Sequence, residues 1–115
     1  MKLAQDIILK PIITEASIDA IRENQMGTFV KDPTFSCAAG PGYGYGLGVR
    51  TLVDAANSRS PIGEFGWDGA AGAWTMVDPD NHIAAFYVQH VLGCGRSYEE
   101  FHPAIRNLIY EGLDI

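Results

Sequence analysis

The fold of this chain is decided by residues 63–79, which read GEFGWDGAAGAWTMVDP. Two segments rich in aromatic and β-branched residues, 62–67 and 73–77, stand on either side of a run of small residues, and each predicts a strand. Because the connection between them is short, the two strands must pair antiparallel. The sequence DPDN at 78–81 is typical of a tight turn, so a third strand over residues 83–88 is expected to continue the antiparallel sheet.

Two segments of the predicted sheet, residues 42–49 and 84–88, indicate what packs against it. Residues 42–49 alternate glycine with larger apolar residues, which predicts one strand with a bare face that another backbone can approach closely. The glycines do not have the G-x-G-x-x-G spacing of a phosphate-binding loop. Residues 84–88 are apolar on both faces, so the last strand is expected to be central, with helices covering at least one side.

Two helices are predicted before the sheet. Residues 1–9 read as a short helix, and a second helix over residues 14–25 begins at Thr14, a good N-cap residue. Ile13 and Ile18 have the spacing of a hydrophobic staple, in which the two apolar side chains fix how the chain enters the helix.

A third helix is predicted after the sheet. Ser97 and Glu100 have capping-box spacing, Pro103 suits the first turn, and Gly112 ends the helix. The predicted fold class is therefore α+β: an antiparallel sheet of about four strands flanked by N-terminal and C-terminal helices, with residues 1–115 forming a single domain.

Composition and charge exclude several classes of function. The 115-residue chain has a formal charge of -6 and a pI near 4.8, without a cluster of Lys or Arg, which excludes nucleic acid as a partner. No apolar run approaches the ~20 residues that span a bilayer. Charged residues interrupt the N-terminal apolar stretch, so no export signal is expected. The chain is therefore predicted to be cytoplasmic, with no membrane partner.

The cysteines and histidines predict no metal or other cofactor. Cys37 and Cys94 are too few for a disulfide scaffold and lack the paired spacing of a zinc site. His82, His90 and His102 have no ligand spacing between them, and each is interpreted as a turn, strand-end or helix-start residue rather than as a catalytic base.

The motifs resemble one enzyme family. Residues 63–72, together with YGLGV at 45–49 and WTMVDP at 74–79, resemble the C-terminal part of the beta-lactamase-related serine hydrolases, which include class C beta-lactamases, penicillin-binding proteins, D-aminopeptidases and related esterases. The predicted helix over residues 14–25 resembles the helix that precedes this strand in the family, so the resemblance covers nearly the whole chain.

The family carries a Lys-Thr-Gly or His-x-Gly triplet on this strand, and Trp67-Asp68-Gly69 stands in its place here. A tryptophan at the first position is more similar to the esterase-like and peptidase-like branches than to true beta-lactamases. The resemblance implies that the backbone N–H of Ala70 is a catalytic oxyanion donor. It also implies a substrate-binding role for Trp67, Asp68 and Gly69, with Trp67 packing against an acyl or leaving group and Gly69 leaving room for the substrate.

A structural interpretation of the same residues stands beside this one. Gly66 and Gly69 then relieve crowding in a bent strand, and Trp67 belongs to the core. Asp68 has the spacing of a general base, but it is expected to be a surface carboxylate beside a turn.

The family's nucleophile motif, Ser-x-x-Lys, is absent. The residues three positions after the five serines are Ala20, Ala39, Pro61, Gly63 and Glu100. The chain is therefore interpreted as a partial domain, the C-terminal portion of a hydrolase that acts on a peptide, amide or ester, and it is expected to be inactive alone. Whether it is an enzyme by itself stays open.

Two partners follow from this interpretation: a second copy of the chain, or a separately encoded N-terminal portion that contributes the nucleophile and completes a site for a small-molecule or peptide substrate. The alternative function is a non-catalytic binding or regulatory module that keeps the sheet and groove. A third candidate is a small complete hydrolase that uses Asp68 or a histidine.

Overall fold

The computed structural model describes residues 12–28 and 40–115. These residues form a five-stranded antiparallel sheet in which neighbours in the chain are neighbours in the sheet. The strands are β1 (Tyr43–Tyr45), β2 (Arg50–Leu52), β3 (Phe65–Asp68), β4 (Trp74–Asp78) and β5 (Ile83–Tyr87). Helix α1 (Glu15–Arg22) precedes the sheet and helix α2 (His102–Gly112) follows it. The predicted α+β class is confirmed, and the helix predicted over residues 1–9 lies outside the described residues.

The single strand predicted over residues 42–49 is wrong, because β1 and β2 form a hairpin there. The chain reverses between them through a turn in which Gly46 N–H donates to the Val49 carbonyl at 2.7 Å. Gly48 has a φ of +81°, a backbone conformation that residues with a side chain rarely adopt. Alternating glycines are therefore compatible with a tight turn as well as with a bare strand face, and the sheet has five strands rather than about four.

Helix α1 packs on one face of the sheet. The Thr14 side chain accepts from the Ser17 N–H at 3.2 Å, which confirms the predicted N-cap. Ile18 is buried against Phe65 and Val77, and Ile13 packs against the same cluster. The helix ends at Arg22 rather than near residue 25, since the following residues turn to bond the backbone of β1.

The opposite face of the sheet packs on α2. Its apolar cluster is built around Trp74, Met76 and Tyr110, each at most 1% exposed. Strand β5 contributes to this cluster from one face only, and Phe86 on its other face is 55% exposed. Among the described strands β5 is at the edge of the sheet, so the predicted central position is wrong. The apolar residues of β5 therefore cover one packed face and one exposed face, and they do not indicate burial on both sides.

Helix α2 begins differently from the prediction. Residues Ser97–Phe101 form a π-helical turn that runs directly into α2, and the predicted capping box is absent. Ser97 is buried and accepts from Gln89 Nε2 at 2.6 Å, while Glu100 pairs with Arg96 at 2.8 Å. Pro103 lies in the first turn of α2, as predicted. Across residues 12–28 and 40–115, no helix combines the length and apolar character needed to cross a bilayer.

Candidate functional site

The hairpin that joins β3 to β4 determines where the Ala70 amide points. Gly69 N–H donates to the Ala73 carbonyl at 2.8 Å, and Gly72 N–H donates to the Gly69 carbonyl at 3.0 Å. Ala70 is the second residue of this turn, and its N–H shares one trans peptide group with the Gly69 carbonyl, so the two point in opposite directions. Since the Gly69 carbonyl is bonded inside the turn, the Ala70 N–H points out of the turn and away from β4.

On that side the sheet has already ended. The last pair between β2 and β3 is Arg50 with Gly66, and no described strand continues the ladder beyond it. Ala70 is exposed, and its N–H donates a hydrogen bond to no described group. The structure therefore places the N–H predicted to be an oxyanion donor in an exposed turn, beyond the end of the β2–β3 ladder. Its catalytic role stays a prediction.

Trp67 lies on the exposed surface next to this edge. Its indole is 45% exposed and meets the Tyr45 ring edge-on, with 5.6 Å between the ring centroids. Trp67 pairs with Thr75, which pairs in turn with Phe86, so two exposed aromatic residues flank Thr75 in one row across three strands. The interpretation of Trp67 as a core residue is therefore wrong. We call Trp67, Thr75 and Phe86 the aromatic row.

The two glycines of the triplet region have different surroundings. A Cβ on Gly66 would collide with the Thr75 carbonyl oxygen, so the strand does require glycine there. A Cβ on Gly69 would lie 3.5 Å from the Ala73 Cβ, an ordinary contact. Crowding therefore accounts for Gly66 but leaves Gly69 without a packing reason, and its substrate-binding role remains a prediction.

Asp68 points away from Trp67, to the face that packs on α2. It is 6% exposed, and its carboxylate accepts from Arg50 Nε at 2.8 Å and lies 3.1 Å from His102 Nδ1. The expectation of a surface carboxylate is wrong, because two cationic or polar side chains compensate its burial. The substrate-binding role of Asp68 stays a prediction. Because the side chain is buried, only the backbone of Asp68 is available on the side of β3 where the β2–β3 ladder has ended.

A charged network surrounds Asp68. Arg50 is fully buried and donates to Glu64 at 2.8 Å and to the Thr75 carbonyl at 2.8 Å, in addition to Asp68. Burial lowers the pKa of the Arg50 guanidinium, but the Glu64 and Asp68 carboxylates outweigh burial and raise it. Tyr43 donates to Glu64 at 2.5 Å. Every donor nitrogen of Arg50 is thereby bonded.

Arg106 on α2 has a poorer set of partners. Its guanidinium is 3% exposed and lies over the Tyr43 ring, 5.0 Å from the centroid. The Glu64 carboxylate is 3.9 Å from its Nε, and Nε and Nη2 have no hydrogen-bond partner among the described residues. Sequence reasoning missed this network. The signal for it in the sequence is weak. Glu64 lies in a predicted strand and Arg106 in a predicted helix, but no spacing pairs either of them with Arg50 or Asp68.

His102 is the buried histidine of the three. Its ring is 1% exposed and bridges Asp68 and the Gly72 carbonyl, which is 2.8 Å from Nε2. His82 and His90 are exposed, and His82 occupies a turn with a φ of +57°. In the part of the chain that the structure describes, no three His, Cys, Asp or Glu side chains are grouped to hold a metal ion.

The serines of the described segments contact hydroxyl, amide and carboxylate groups. Ser17 contacts Thr14, Ser58 contacts Ser60, and Ser60 donates to Glu64 at 3.4 Å. Ser97 contacts Gln89. Ser36 lies outside the described residues, as do all the lysines of the chain, Lys2, Lys10 and Lys31.

Comparison with known proteins connects the fold to a hydrolase structure. No family model matches the chain. Two proteins of Mycobacterium tuberculosis, the uncharacterised protein MT1414 and the protein Rv1367c, are each 36% identical over 55 residues, which is 43% of this chain and 14% of each relative. The structure of EstCE1, a hydrolase with promiscuous acyltransferase activity, superimposes with a TM-score of 0.70 at 22% identity. It covers 95% of this chain, which spans 28% of EstCE1. The chain therefore has a hydrolase-like fold and matches only a minor part of each relative's length.

Proposed function

We propose that this chain is the C-terminal portion of a beta-lactamase-related serine hydrolase and supplies one wall of an acyl-transfer site, while the attacking hydroxyl belongs to other polypeptide. The observation that carries the proposal is the Ala70 N–H, which bonds no described acceptor and lies in the exposed turn at the end of the strand that carries the exposed Trp67. The fold shared with EstCE1 supports it, because that hydrolase also transfers acyl groups.

The Ala70 amide stabilises the charge that develops during acyl transfer. When a hydroxyl attacks an ester or amide carbonyl, the carbonyl oxygen becomes an oxyanion, and a fixed N–H donor lowers the energy of that state more than that of the substrate. Ala70 needs no rearrangement to donate, since its N–H is committed to no described acceptor. The second donor is the N–H of the nucleophilic residue itself, outside this chain.

The triplet before Ala70 shapes the substrate's surroundings. Trp67 offers an exposed ring to an acyl or leaving group, and the aromatic row extends that apolar surface toward Phe86. Gly69 keeps the strand edge free of a side chain, so a substrate can lie along it. The backbone of Asp68 forms part of this strand, while its carboxylate holds the strand on the α2 face of the sheet through Arg50 and His102.

The nucleophile comes from polypeptide outside residues 1–115, such as an N-terminal portion of the hydrolase that packs against this segment. Strand β5, at the edge of the described sheet, with its exposed Phe86 and the neighbouring exposed Val88, provides surface for such a portion or for a second copy. The burial of Asp68 and His102 argues against a small complete hydrolase that uses either residue as its base. No observation favours the non-catalytic module over the partial enzyme.

Labelling with a fluorophosphonate, which reacts with activated serines, tests this proposal on the purified chain. We expect intact-mass spectrometry to show no adduct on the chain under conditions that label a serine esterase used as the positive control. An adduct on any of Ser17, Ser36, Ser58, Ser60 or Ser97 would contradict the proposal. Loss of that adduct in the matching Ser→Ala variant, with unchanged labelling in the other four, would identify the reactive serine.

A further inference from the structure

The loop that carries Ala70 is held by a segment far away in the sequence. Three of its peptide carbonyls accept hydrogen bonds from residues 91–102. Tyr98 OH donates to Gly69 at 2.7 Å and the Val91 N–H donates to Ala71 at 3.1 Å. His102 Nε2 lies 2.8 Å from the Gly72 carbonyl. Three carbonyl groups of the loop are thus bonded, while the Ala70 N–H bonds no described acceptor.

His102 makes contacts on both sides of Ala70. Nδ1 lies 3.1 Å from the Asp68 carboxylate, two residues before Ala70, and Nε2 bonds the Gly72 carbonyl, two residues after it. Because both atoms belong to one rigid ring, the separation of Asp68 and Gly72 is fixed by the imidazole. A carbonyl oxygen accepts only, so Nε2 carries the hydrogen in this contact.

The ring itself has little freedom to move. It stacks on Trp74 at 6.1 Å between centroids and meets the rings of Tyr87 and Tyr98 edge-on at 6.0 and 5.3 Å. Its exposed fraction is 1%. A ring enclosed on three sides is a firm support for the loop, because any displacement of the imidazole requires the aromatic neighbours to repack.

We propose that His102 is a positioning residue, which fixes the direction of the Ala70 N–H by bridging Asp68 and Gly72. The inference rests on the proposed function only for the use of that N–H, because the bridge and its effect on the loop are properties of this chain alone. The first residue of α2 would thereby set the direction of the Ala70 N–H, although the two are far apart in the sequence. The contact between His102 and Gly72 spans 30 positions.

Backbone ¹⁵N relaxation of the purified chain tests the inference with the variant His102→Phe. Phenylalanine keeps an aromatic ring in the enclosure but removes both bridging contacts. In the wild type, we expect an order parameter of about 0.85 for the Ala70 amide, and a fall below about 0.6 in the variant. The amides of Asp80 and Asn81, in a loop that does not contact His102, serve as the internal reference and should not change.

An unchanged Ala70 order parameter in a folded His102→Phe protein would overturn the inference, and so would equal loosening of Ala70 and the reference loop. If His102→Phe does not fold, His102→Gln gives the second test. A flexible amide side chain cannot fix the separation of Asp68 and Gly72 as the imidazole ring does, so the Ala70 order parameter should fall by a smaller amount, again without effect on Asp80 and Asn81. An unchanged value in a folded His102→Gln protein would then overturn the inference.

The labelling experiment tests the proposed function separately from the positioning role. If Ala70 loosens in His102→Phe but a fluorophosphonate labels a serine of this chain, the positioning role stands and the proposed function fails. If Ala70 stays rigid and no serine is labelled, the positioning role fails and the proposed function stands.

Discussion

Two hairpin loops at opposite ends of β4 are stabilised in different ways. The β4–β5 loop is held by its own first residue: Asp78 accepts from the N–H groups of Asp80 and Asn81 at 3.0 and 3.1 Å and from the Asn81 side chain at 2.8 Å. The β3–β4 loop, which carries Ala70, has its carbonyls bonded by Val91, Tyr98 and His102.

The difference shows which loop depends on the rest of the fold. An Asx-type turn satisfies its own backbone and forms wherever the strands end. A loop bonded by distant donors takes its shape only when those donors are in place. The β3–β4 loop, whose Ala70 N–H bonds no described acceptor, is of this kind. Changes at Val91, Tyr98 or His102 should therefore affect Ala70 and spare the β4–β5 loop, which the C-terminal helix supports through a different residue, Tyr110, bonded to Asp78.

The largest effect is expected at Arg50. The substitution Arg50→Met removes the cation that compensates two buried carboxylates, Glu64 and Asp68, and should lower the free energy of unfolding by about 3–5 kcal/mol, measured by urea denaturation. Arg106→Met is the matched control. Because Arg106 leaves two buried nitrogens unbonded, its replacement should cost less than about 1 kcal/mol. Equal losses for the two variants would contradict the network described here.

A smaller and more local effect is expected at Asp78. Asp78→Ala removes the loop bonds and the contact from Tyr110 OH at 2.6 Å, and should cost about 2–3 kcal/mol. Amide hydrogen exchange should quicken at Asp80 and Asn81 and stay unchanged at Gly72, whose N–H is bonded within the other loop. Asp80→Ala is the control: it removes only a largely exposed ion pair with Arg22 at 3.7 Å and should cost less than about 1 kcal/mol. Quickened exchange at Gly72 would show that the two loops are coupled.

Alkaline pH should weaken the supports of both loops. Burial, and then the Glu64 charge, raise the pKa of Tyr43, while burial and the bond to Asp78 raise the pKa of Tyr110. The stability that these neutral phenols contribute is fully present below their unfolded pKa of about 10 and is lost as pH rises above it. The free energy of unfolding should fall by about 1.4 kcal/mol per pH unit for each tyrosine above pH ~10. Tyr110→Phe should reduce that slope, and an equal slope in the variant would contradict the assignment.

The smallest effect on stability is expected at Ala70. Ala70→Pro removes an N–H that bonds no described acceptor, at the second position of the turn closed by Gly72 and Gly69, where proline is favoured. The free energy of unfolding should change by less than about 1 kcal/mol. Ala71→Pro is the control and should cost more, because proline is disfavoured at the third turn position. A large loss in Ala70→Pro would mean that its N–H is bonded within the fold.

The sequence was sufficient for those parts of the fold that rest on local chemistry. The antiparallel β3–β4 and β4–β5 hairpins, the N-cap at Thr14 and the position of Pro103 follow from turn and cap preferences that act within a few residues. The hairpin at 42–49 was missed because alternating glycines fit a bare strand face and a tight turn equally well.

The candidate site was predictable only in part. The triplet and Ala70 were identified from their resemblance to a family, since spacing alone also fits a crowded strand. The supports beneath them were missed, because Asp68 is separated by 18 positions from Arg50 and by 34 from His102. No local pattern shows that a carboxylate beside a turn will be buried by partners so distant.

If the Ala70 N–H is an oxyanion donor, its removal must slow acyl transfer. This is measured by the kcat of an EstCE1 chimera that carries residues 40–115 of this chain, and so the distant donors of the loop, in place of its matching segment, with Ala70→Pro compared with Ala70→Ser, which keeps the N–H. We predict a kcat about 10²–10³-fold lower for Ala70→Pro than for Ala70→Ser. Equal kcat values in the two variants would contradict the claim.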